Sequence, residues 1–344
     1  MNILNSDINR IILLRLFSII MAVLLDVIIG DPHSMPHIVK AFGKNIDRIY
    51  KGLLRMFPVK SGRDEDANIK LMIGQTIVIR MIVGNLLIFG IILFVLDKYV
   101  PIAGIVARII IIYQCISARQ LQKEAMVVVR ELSNGINRGR TALSNIVGRD
   151  TDNLDYDAIL RADVETVAEN TSDGVIAPLF YIFIFGALGG VVYKVVNTMD
   201  SMLGYHSEEF EYIGRAAAKT DDFFNFVPSR IAAGFMIISA YLCHMNGKGA
   251  VAIYKRDRKK SSSPNSAQTE SVVAGALNLR LLGPARYGGV LHEKPYIGDD
   301  IKNIDAADVK ASIKLMYSTE IITLLACTLI YVAIIMVNYS FFFK

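Results

Sequence analysis

Long apolar runs without charge alternate along the chain with polar segments that are rich in charge. The runs at 81–96 and 321–343 contain no charged residue, and those at 11–25 and 99–118 carry one arginine each. A transmembrane helix needs about 20 predominantly apolar residues in succession. The pattern therefore predicts four membrane spans, at about 11–30, 77–97, 99–118 and 321–343.

Two further uncharged segments, 174–193 and 231–247, are less regular. The first contains Pro178 and four glycines, and the second is short. Broken helices at membrane depth are tolerated where protein or a water-filled cavity surrounds them. We therefore favour re-entrant or interior segments over crossings, because this arrangement leaves every polar motif on one side of the membrane.

The composition is consistent with this arrangement, since 53% of the 344 residues are hydrophobic and 20% are charged. The first value favours a membrane protein, and the second requires sizeable polar loops between the spans. We predict an all-α polytopic membrane protein with about four to six membrane segments and large cytoplasmic helical loops. It would form a single membrane-embedded domain over residues 1–344, with polar motif loops at 26–43, 119–173, 194–230 and 248–300.

The basic residues indicate the orientation of these loops. Segments 31–70, 119–173 and 247–320 hold 27 of the 37 lysines and arginines. Basic loops tend to stay in the cytoplasm, so we expect a multi-pass protein of the cell membrane whose polar motifs face the cytoplasm. Topology thus accounts for the net charge of +5, and no nucleic-acid partner is expected.

The three cysteines lie inside apolar segments, without the spacing of a metal site or a disulfide framework.

Carboxylates are concentrated at the start of the apolar segment 174–193. Glu165, Glu169 and Asp173 are four residues apart, so on a helix they share one face. A solvated helix end would explain them. The alternative is a site for a cation or a metal–phosphate group at the bilayer surface, because half-buried carboxylates are costly unless cations pair with them.

A second set of oxygen-bearing side chains lies in segment 193–230. Asn197 and Asp200 are three residues apart, and Asp221, Asp222 and Asn225 span about one helical turn. Asp and Asn oxygens are the ligands that Mg²⁺ prefers, usually together with phosphate oxygens. The alternative is an acidic helix start capped by Thr220.

Two arginines are candidates for binding phosphate, since the guanidinium group presents a fork of donors to an anion. They are Arg149, beside Asp150, and Arg230, which follows Pro228. No P-loop is present: in GRAAAKT, at 214–220, Ala218 stands where that motif needs glycine.

The segment 261–299 predicts a turn at Ser263-Pro264-Asn265, then an apolar helix that contains Glu270. A loop with several glycines and Tyr287 follows.

Taken in order, these motifs resemble the adenosylcobinamide-phosphate synthase family. The matching residues are Asp26, Gly30-Asp31-Pro32, Pro36-His37, Ser117-Ala118-Arg119, Gly148-Arg149-Asp150-Thr151, Glu165, Glu169-Asn170, Asp173-Gly174, Pro178, Tyr193-Lys194, Asn197-Thr198, Asp200-Ser201-Met202, Gly204-Tyr205, Asp221-Asp222, Asn225, Pro228, Arg230, Ser263-Pro264-Asn265, Glu270, Ala274-Gly275-Ala276-Leu277, Gly283, Tyr287 and Gly289. The sequence departs from the family pattern at Ile38, at Ser266-Ala267 and at Leu282. A glycine is common at the position of Leu282.

The resemblance implies an integral membrane ligase of cobalamin biosynthesis. Such an enzyme forms an amide bond between adenosylcobyric acid and aminopropanol phosphate or a related amino alcohol, with ATP as a substrate and Mg²⁺ as cofactor. The expected partners are these substrates, membrane lipid and other proteins of the cobalamin pathway. The oligomeric state and the amino alcohol stay open.

Roles can be assigned to the matching residues as hypotheses. We expect Arg149 and Arg230 to neutralise phosphate charge, and Glu165 or Asp200 to accept the proton of the amine. Glu169 is expected to help bind the metal–phosphate group. The expected metal ligands are Asp173, Asp221, Asp222 and Asn225, and the expected ATP- and substrate-binding residues are Asn170, Asn197, Ser263, Asn265 and Tyr287.

Two other functions fit the same acidic residues. A membrane prenyltransferase would hold Mg-diphosphate with Asp-rich motifs, but here 197–200 and 221–225 are closer together than such motifs require. A transporter or sensor could have an acidic cavity, yet the inverted repeats common in transporters are not visible.

Overall fold

The computed structural model describes residues 2–32, 35–59, 66–204 and 211–340. Most of them are helical. The α-helices are α1 (Asn2–Ile29), α2 (Ile38–Met56), α3 (Ala67–Tyr99), α4 (Pro101–Cys115), α5 (Ala118–Ser133), α6 (Ile136–Ser144), α7 (Tyr156–Asn170), α8 (Ala177–Phe185), α9 (Ala187–Leu203), α10 (Arg215–Leu242), α11 (Gly247–Asp257), α12 (Ser266–Leu277) and α13 (Ala306–Ser340). A π-helical turn, Thr171–Ile176, joins α7 to α8. The short strands are β1 (Arg280–Leu282), β2 (Ala285–Tyr287), β3 (Val290–His292) and β4 (Tyr296–Gly298).

Among the described residues, five helical stretches are long and apolar enough to cross a membrane. They are Asn9–Ile29, Ala67–Tyr99, Pro101–Ser133, Arg215–Leu242 and Ala306–Asn338. The prediction of an all-α polytopic membrane protein is therefore confirmed. The stretch additional to the four predicted spans is α10, which begins well before the predicted segment 231–247 and ends at Leu242, followed by a turn. Residues 341–343 of the last predicted span, and Tyr205, lie outside the described residues.

The segment 174–193 is interrupted at Gly186, which has φ +71° between α8 and α9. Its nine-residue helix α8 is about 14 Å long at 1.5 Å per residue, roughly half of the ~30 Å hydrocarbon core. Arg15, the one charge in the apolar run of α1, donates to the carbonyls of Phe183 and Ile184 at 3.0 and 2.8 Å. These are the carbonyls that the helix end leaves unsatisfied. Whether this segment crosses the bilayer stays a prediction.

The contacts group the chain into two compact units. The first comprises residues 1–116, 178–224 and 331–344. In this unit α1 packs against α4, α3 packs against α4 and α9, and α2 packs against α3 and α9. The prediction of one membrane-embedded domain over 1–344 is not decided by this grouping and stays a prediction.

The second unit comprises residues 117–177 and 225–330. In it α7 packs against α5, α12 and β1, while α11 and α12 cross at Gly249 and Gly275, where the backbones touch. Strand β1 pairs antiparallel with β4, and β2 pairs antiparallel with β3. The β2–β3 hairpin turns at Gly288 and Gly289, both with positive φ, as a tight two-residue hairpin requires.

Candidate functional site

Helix α7 presents a buried carboxylate to a cation and to a strand. The helix begins at Asp155, whose side chain accepts a hydrogen bond of 2.8 Å from the N–H of Ala158. Nearly three turns further on, Glu165 is almost fully buried and forms an ion pair with Arg149. Its other oxygen accepts a hydrogen bond of 2.6 Å from the N–H of Leu282 in β1. Both oxygens of Glu165 therefore have partners.

Asp150, next to Arg149, holds the glycine hairpin. Its two carboxylate oxygens accept hydrogen bonds of 3.0 and 2.7 Å from the N–H groups of Gly288 and Gly289. The N–H of Asp150 donates to the carbonyl of Arg286 at 2.8 Å. One short loop thus connects α7, through Arg149, to the β2–β3 hairpin that carries Tyr287.

Tyr287 lies at the end of β2 beside a lysine that the sequence analysis did not select. Lys294 donates to the Tyr287 hydroxyl at 2.6 Å, and its ammonium group lies 4.7 Å from the centre of the tyrosine ring. Burial lowers the pKa of Arg149, but the charge and hydrogen bond of Glu165, with smaller contributions from Tyr287 and Glu270, raise it overall. Arg149 therefore stays charged at neutral pH.

Glu270, on α12, is a further carboxylate of this cluster. It is 4% exposed, and among the described residues its Oε2 atom has no hydrogen-bond partner. Burial raises the pKa of Glu270 well above its usual range, and the charges of Glu169 and Glu165 raise it further, against the opposing effect of Arg149 and Lys294. In the sequence, Glu270 matches the family pattern but has no predicted role.

Glu169 and Asp173 lie where α7 passes into the π-helical turn. Glu169 is exposed, although its charge acts on the buried Glu270. Asn170 donates to the carbonyl of Thr166 at 3.0 Å, inside its own helix. Single π-helical turns frequently mark functional sites. The acidic residues thus extend from the buried Glu270 to the exposed Glu169.

Arg230 and Asn265 form a separate group in the same unit. The Arg230 guanidinium donates to Oδ1 of Asn265 at 3.1 Å and to the carbonyl of Pro264 at 3.3 Å. The Ser263 hydroxyl accepts a hydrogen bond of 3.3 Å from the N–H of Asn265. The predicted turn at 263–265 therefore positions Arg230, which also lies over the ring of Phe226 at 3.7 Å.

The remaining predicted ligands lie on two helices. Asn197 and Asp200 lie on α9, and Asp221 and Asp222 lie on α10, all within the first unit. Asn225 follows one turn later on α10 and is 1% exposed. Thr220 is inside α10, which begins at Arg215, so it does not cap an acidic helix start. The metal assignments of these residues stay predictions.

Among the predicted site residues, the structure brings together Arg149, Glu165, Glu169 and Tyr287. Glu270 and Lys294 complete this carboxylate–cation cluster, and Arg230, Ser263 and Asn265 form the second group. Across the described ranges, no three His, Cys, Asp or Glu side chains converge on one metal position. Lys294 could not be found from the sequence, because its position beside Tyr287 depends on how the chain folds back after the hairpin.

The fold and this cluster define a polytopic α-helical membrane protein with a carboxylate–cation site built between two helices and a β-ribbon. Residues 19–316 match the family model described as CobD/Cbib protein. The chain belongs to this family.

Similar proteins carry the name cobalamin biosynthesis protein CobD. The one from Clostridium perfringens is 43% identical over 298 residues, which cover 86% of this chain and 91% of the relative. The one from Pelobacter propionicus is 39% identical, covering 88% and 90%, and the one from Desulfotalea psychrophila is 37% identical, covering 89% and 95%. No solved structure matches the chain.

Proposed function

We propose that this chain is an enzyme of cobalamin biosynthesis that forms an amide bond at the expense of ATP. It would join a propionate carboxyl of adenosylcobyric acid to the amine of aminopropanol phosphate, or of a related amino alcohol, to give adenosylcobinamide phosphate. The names of the relatives support the pathway. The observation that carries the reaction type is the buried, unsatisfied carboxyl of Glu270 beside further carboxylates and two cations.

The reaction places definite demands on such a site. A carboxylate is a poor electrophile, so its oxygen first takes the terminal phosphoryl group of ATP, which releases ADP. The amine nitrogen then attacks the acyl carbon, the bond to phosphate breaks, and the nitrogen loses a proton. The protein must therefore neutralise phosphate charge, orient two substrates and accept one proton.

The carboxylate–cation cluster contains side chains that can neutralise phosphate charge. Arg149 is held by Glu165 and stays charged, and Lys294 supplies a second cation at the Tyr287 hydroxyl. Cations fixed in place before the reaction stabilise charge that develops on a transferred phosphoryl group. We assign Arg149 and Lys294 to this role.

We assign to Glu270 the role of accepting the proton that the amine loses. We had expected Glu165 or Asp200 to accept it, but both oxygens of Glu165 already accept hydrogen bonds from Arg149 and Leu282. The Oε2 atom of Glu270 has no hydrogen-bond partner within the described ranges. Once ionised, a buried carboxyl with a raised pKa is a stronger base than an ordinary one, which suits a group that accepts a proton in the reaction.

The chemistry of the donor set fits a magnesium ion. Mg²⁺ in phosphoryl-transfer sites is held by one or two carboxylates, while phosphate oxygens and waters complete its shell. Exposed Glu169 and the following Asp173 would hold it, and the ion would screen the phosphate charge of ATP. Asp221, Asp222 and Asn225 stay predicted ligands.

We place the active site on the cytoplasmic side of the cell membrane, where ATP is available. The concentration of lysine and arginine in segments 31–70, 119–173 and 247–320 supports this orientation. A single cysteine in place of the exposed Glu293, in a cysteine-free variant, should react with a membrane-impermeant maleimide only after the cells are permeabilised. Labelling of intact cells would contradict the orientation.

The test of the reaction is an end-point assay on the purified full-length protein with adenosylcobyric acid, aminopropanol phosphate, ATP and Mg²⁺. Mass spectrometry of the corrinoid should show the phosphorylated amide, and omission of ATP should abolish it. E270Q should lower kcat by about 10²-fold or more. E293Q removes a charge from an exposed neighbouring residue and should leave kcat unchanged.

Absence of product with aminopropanol phosphate, ethanolamine phosphate and the free amines would refute the proposed reaction. A prenyltransferase or transporter function would then become the better explanation of the acidic residues.

A further inference from the structure

A cavity of about 950 Å³ lies in the second unit, beside α10 and α11. Its wall includes Arg230 from α10, Tyr254 and Lys255 from α11, Arg258 from the following segment, and Gln268 from α12. Small-molecule sites have volumes of about 300–1,000 Å³. The cavity is therefore large enough for a nucleotide, and the mechanism above leaves it unused.

The charge of the cavity wall is strongly positive. Arg230, Lys255, Arg258 and Lys259 all line it, and among the described residues no Asp or Glu does. The neighbouring carboxylate of Asp257 is fully buried and binds Arg256, Lys260 and the N–H of Gly298 instead. The cavity would thus attract a ligand with several negative charges, such as a polyphosphate.

The cavity also contains groups that a simple anion would not use. The Nε2 atom of Gln268 donates to the carbonyls of Arg258 and Pro264 at 3.2 and 3.0 Å, which leaves its Oε1 as the free end of the amide. This oxygen is buried and has no hydrogen-bond partner in the part of the chain that the structure describes, and its side chain is 3% exposed. The ring of Tyr254 lines the same space.

We propose that this cavity binds a nucleoside triphosphate. The phosphates would lie against Arg230, Lys255, Arg258 and Lys259, because their charges match. The base would stack on Tyr254, and Oε1 of Gln268 would accept a hydrogen bond from an amine of the base or a ribose hydroxyl. The phosphoryl group that reacts stays assigned to Arg149 and Lys294, so the cavity would hold a nucleotide in addition to the one consumed. Its identification as ATP rests on the proposed function.

The experiment measures binding without turnover. The full-length protein in detergent is titrated by calorimetry with β,γ-methylene-ATP and Mg²⁺, and separately with inorganic tripolyphosphate. We expect the nucleotide to bind more than about tenfold tighter than tripolyphosphate, because stacking and the Gln268 hydrogen bond add to the charge interactions. The double variant K255Q/R258Q should weaken nucleotide binding by about 100-fold, since two charge-assisted contacts are lost.

The control is K248Q, which makes the same substitution as K255Q on the exposed face of the same helix and outside the cavity. It should leave nucleotide affinity within about twofold of the wild-type value. Circular dichroism melting of each variant verifies that the fold is retained.

Three results would overturn the assignment. Equal affinity for the nucleotide and tripolyphosphate would indicate a general anion site, and unchanged nucleotide affinity in K255Q/R258Q would place the nucleotide elsewhere. An anionic phospholipid retained by the wild-type protein and lost by K255Q/R258Q, with nucleotide affinity unchanged, would assign the cavity to a lipid headgroup.

Failure of this inference can be distinguished from failure of the proposed function. Loss of nucleotide binding in K255Q/R258Q would support the cavity assignment even if the protein formed no amide product. Amide formation by the wild-type protein, together with unchanged nucleotide affinity in K255Q/R258Q, would refute the cavity assignment alone.

Discussion

Replacement of Arg149 by methionine tests the buried ion pair that holds α7 to its neighbouring loop. The side chains of Arg149 and Glu165 are 19% and 3% exposed. Removal of the cation leaves a buried carboxylate with a single remaining hydrogen bond, from the N–H of Leu282. Breaking one side of a buried pair costs about 3–5 kcal/mol. We therefore expect R149M to lower the free energy of unfolding by this amount.

A double-mutant cycle separates the charge from the packing. In R149M/E165Q the buried charge is gone, while the amide oxygen of the glutamine can still accept the Leu282 hydrogen bond. The double variant should therefore be about 2–3 kcal/mol more stable than R149M. Unfolding in mixed micelles, followed by the helical circular dichroism signal, measures all four proteins, since the chain contains no tryptophan.

The control is R130M, which breaks the pair of Arg130 with Glu131, whose side chains are 67% and 28% exposed. Exposed pairs contribute about 0–1 kcal/mol, so this variant should be close to wild type. Equal stability of R149M and R130M would refute the buried-pair argument, as would a double variant no more stable than R149M.

Two further changes test the packing and a buried acid. G275A should destabilise the protein by more than about 2 kcal/mol, because the added Cβ would meet the backbone of Gly249. The control G52A, whose Cβ would have no atom nearby, should be neutral or slightly stabilising. Equal melting temperatures of the two variants would contradict the close crossing of α11 and α12. Burial raises the pKa of Asp163 well above its ordinary value of 3.8, so the folded protein favours the protonated carboxyl. The free energy of unfolding therefore falls as the pH rises from 3.8 through the pKa that Asp163 has in the folded protein. D163N should therefore match wild type in acid and melt at a higher temperature at neutral pH; a wild-type pH profile in D163N would exclude Asp163 as the cause.

The membrane class and much of the helical pattern were predictable from the sequence because they depend on neighbouring residues. The apolar runs predicted spans that lie within long helices, although α10 begins earlier than its uncharged part suggests. Gly186 interrupts its segment, as the glycines there indicated. These signals act over one or two helical turns.

Parts of the site were predictable as residue types but not as contacts. Glu165, Arg149 and Tyr287 were selected as candidates, yet the partner of Glu165 in β1 is 117 residues away along the chain. Leu282 was noted only as standing where a glycine is common. The structure gives it φ +60°, a conformation that favours glycine, and its N–H is the donor to Glu165.

The tertiary structure decided which polar groups are satisfied. From the sequence, Glu165 and Glu270 are equivalent carboxylates near apolar segments. After folding, Glu165 has partners for both oxygens, whereas Glu270 is buried with one oxygen unsatisfied. Burial and hydrogen bonding depend on residues that meet only when distant segments pack together. Sequence alone therefore determined the membrane class and which acidic and basic side chains are present. The packing of α7, α12 and the β-ribbon determined which of these side chains are buried and which have hydrogen-bond partners.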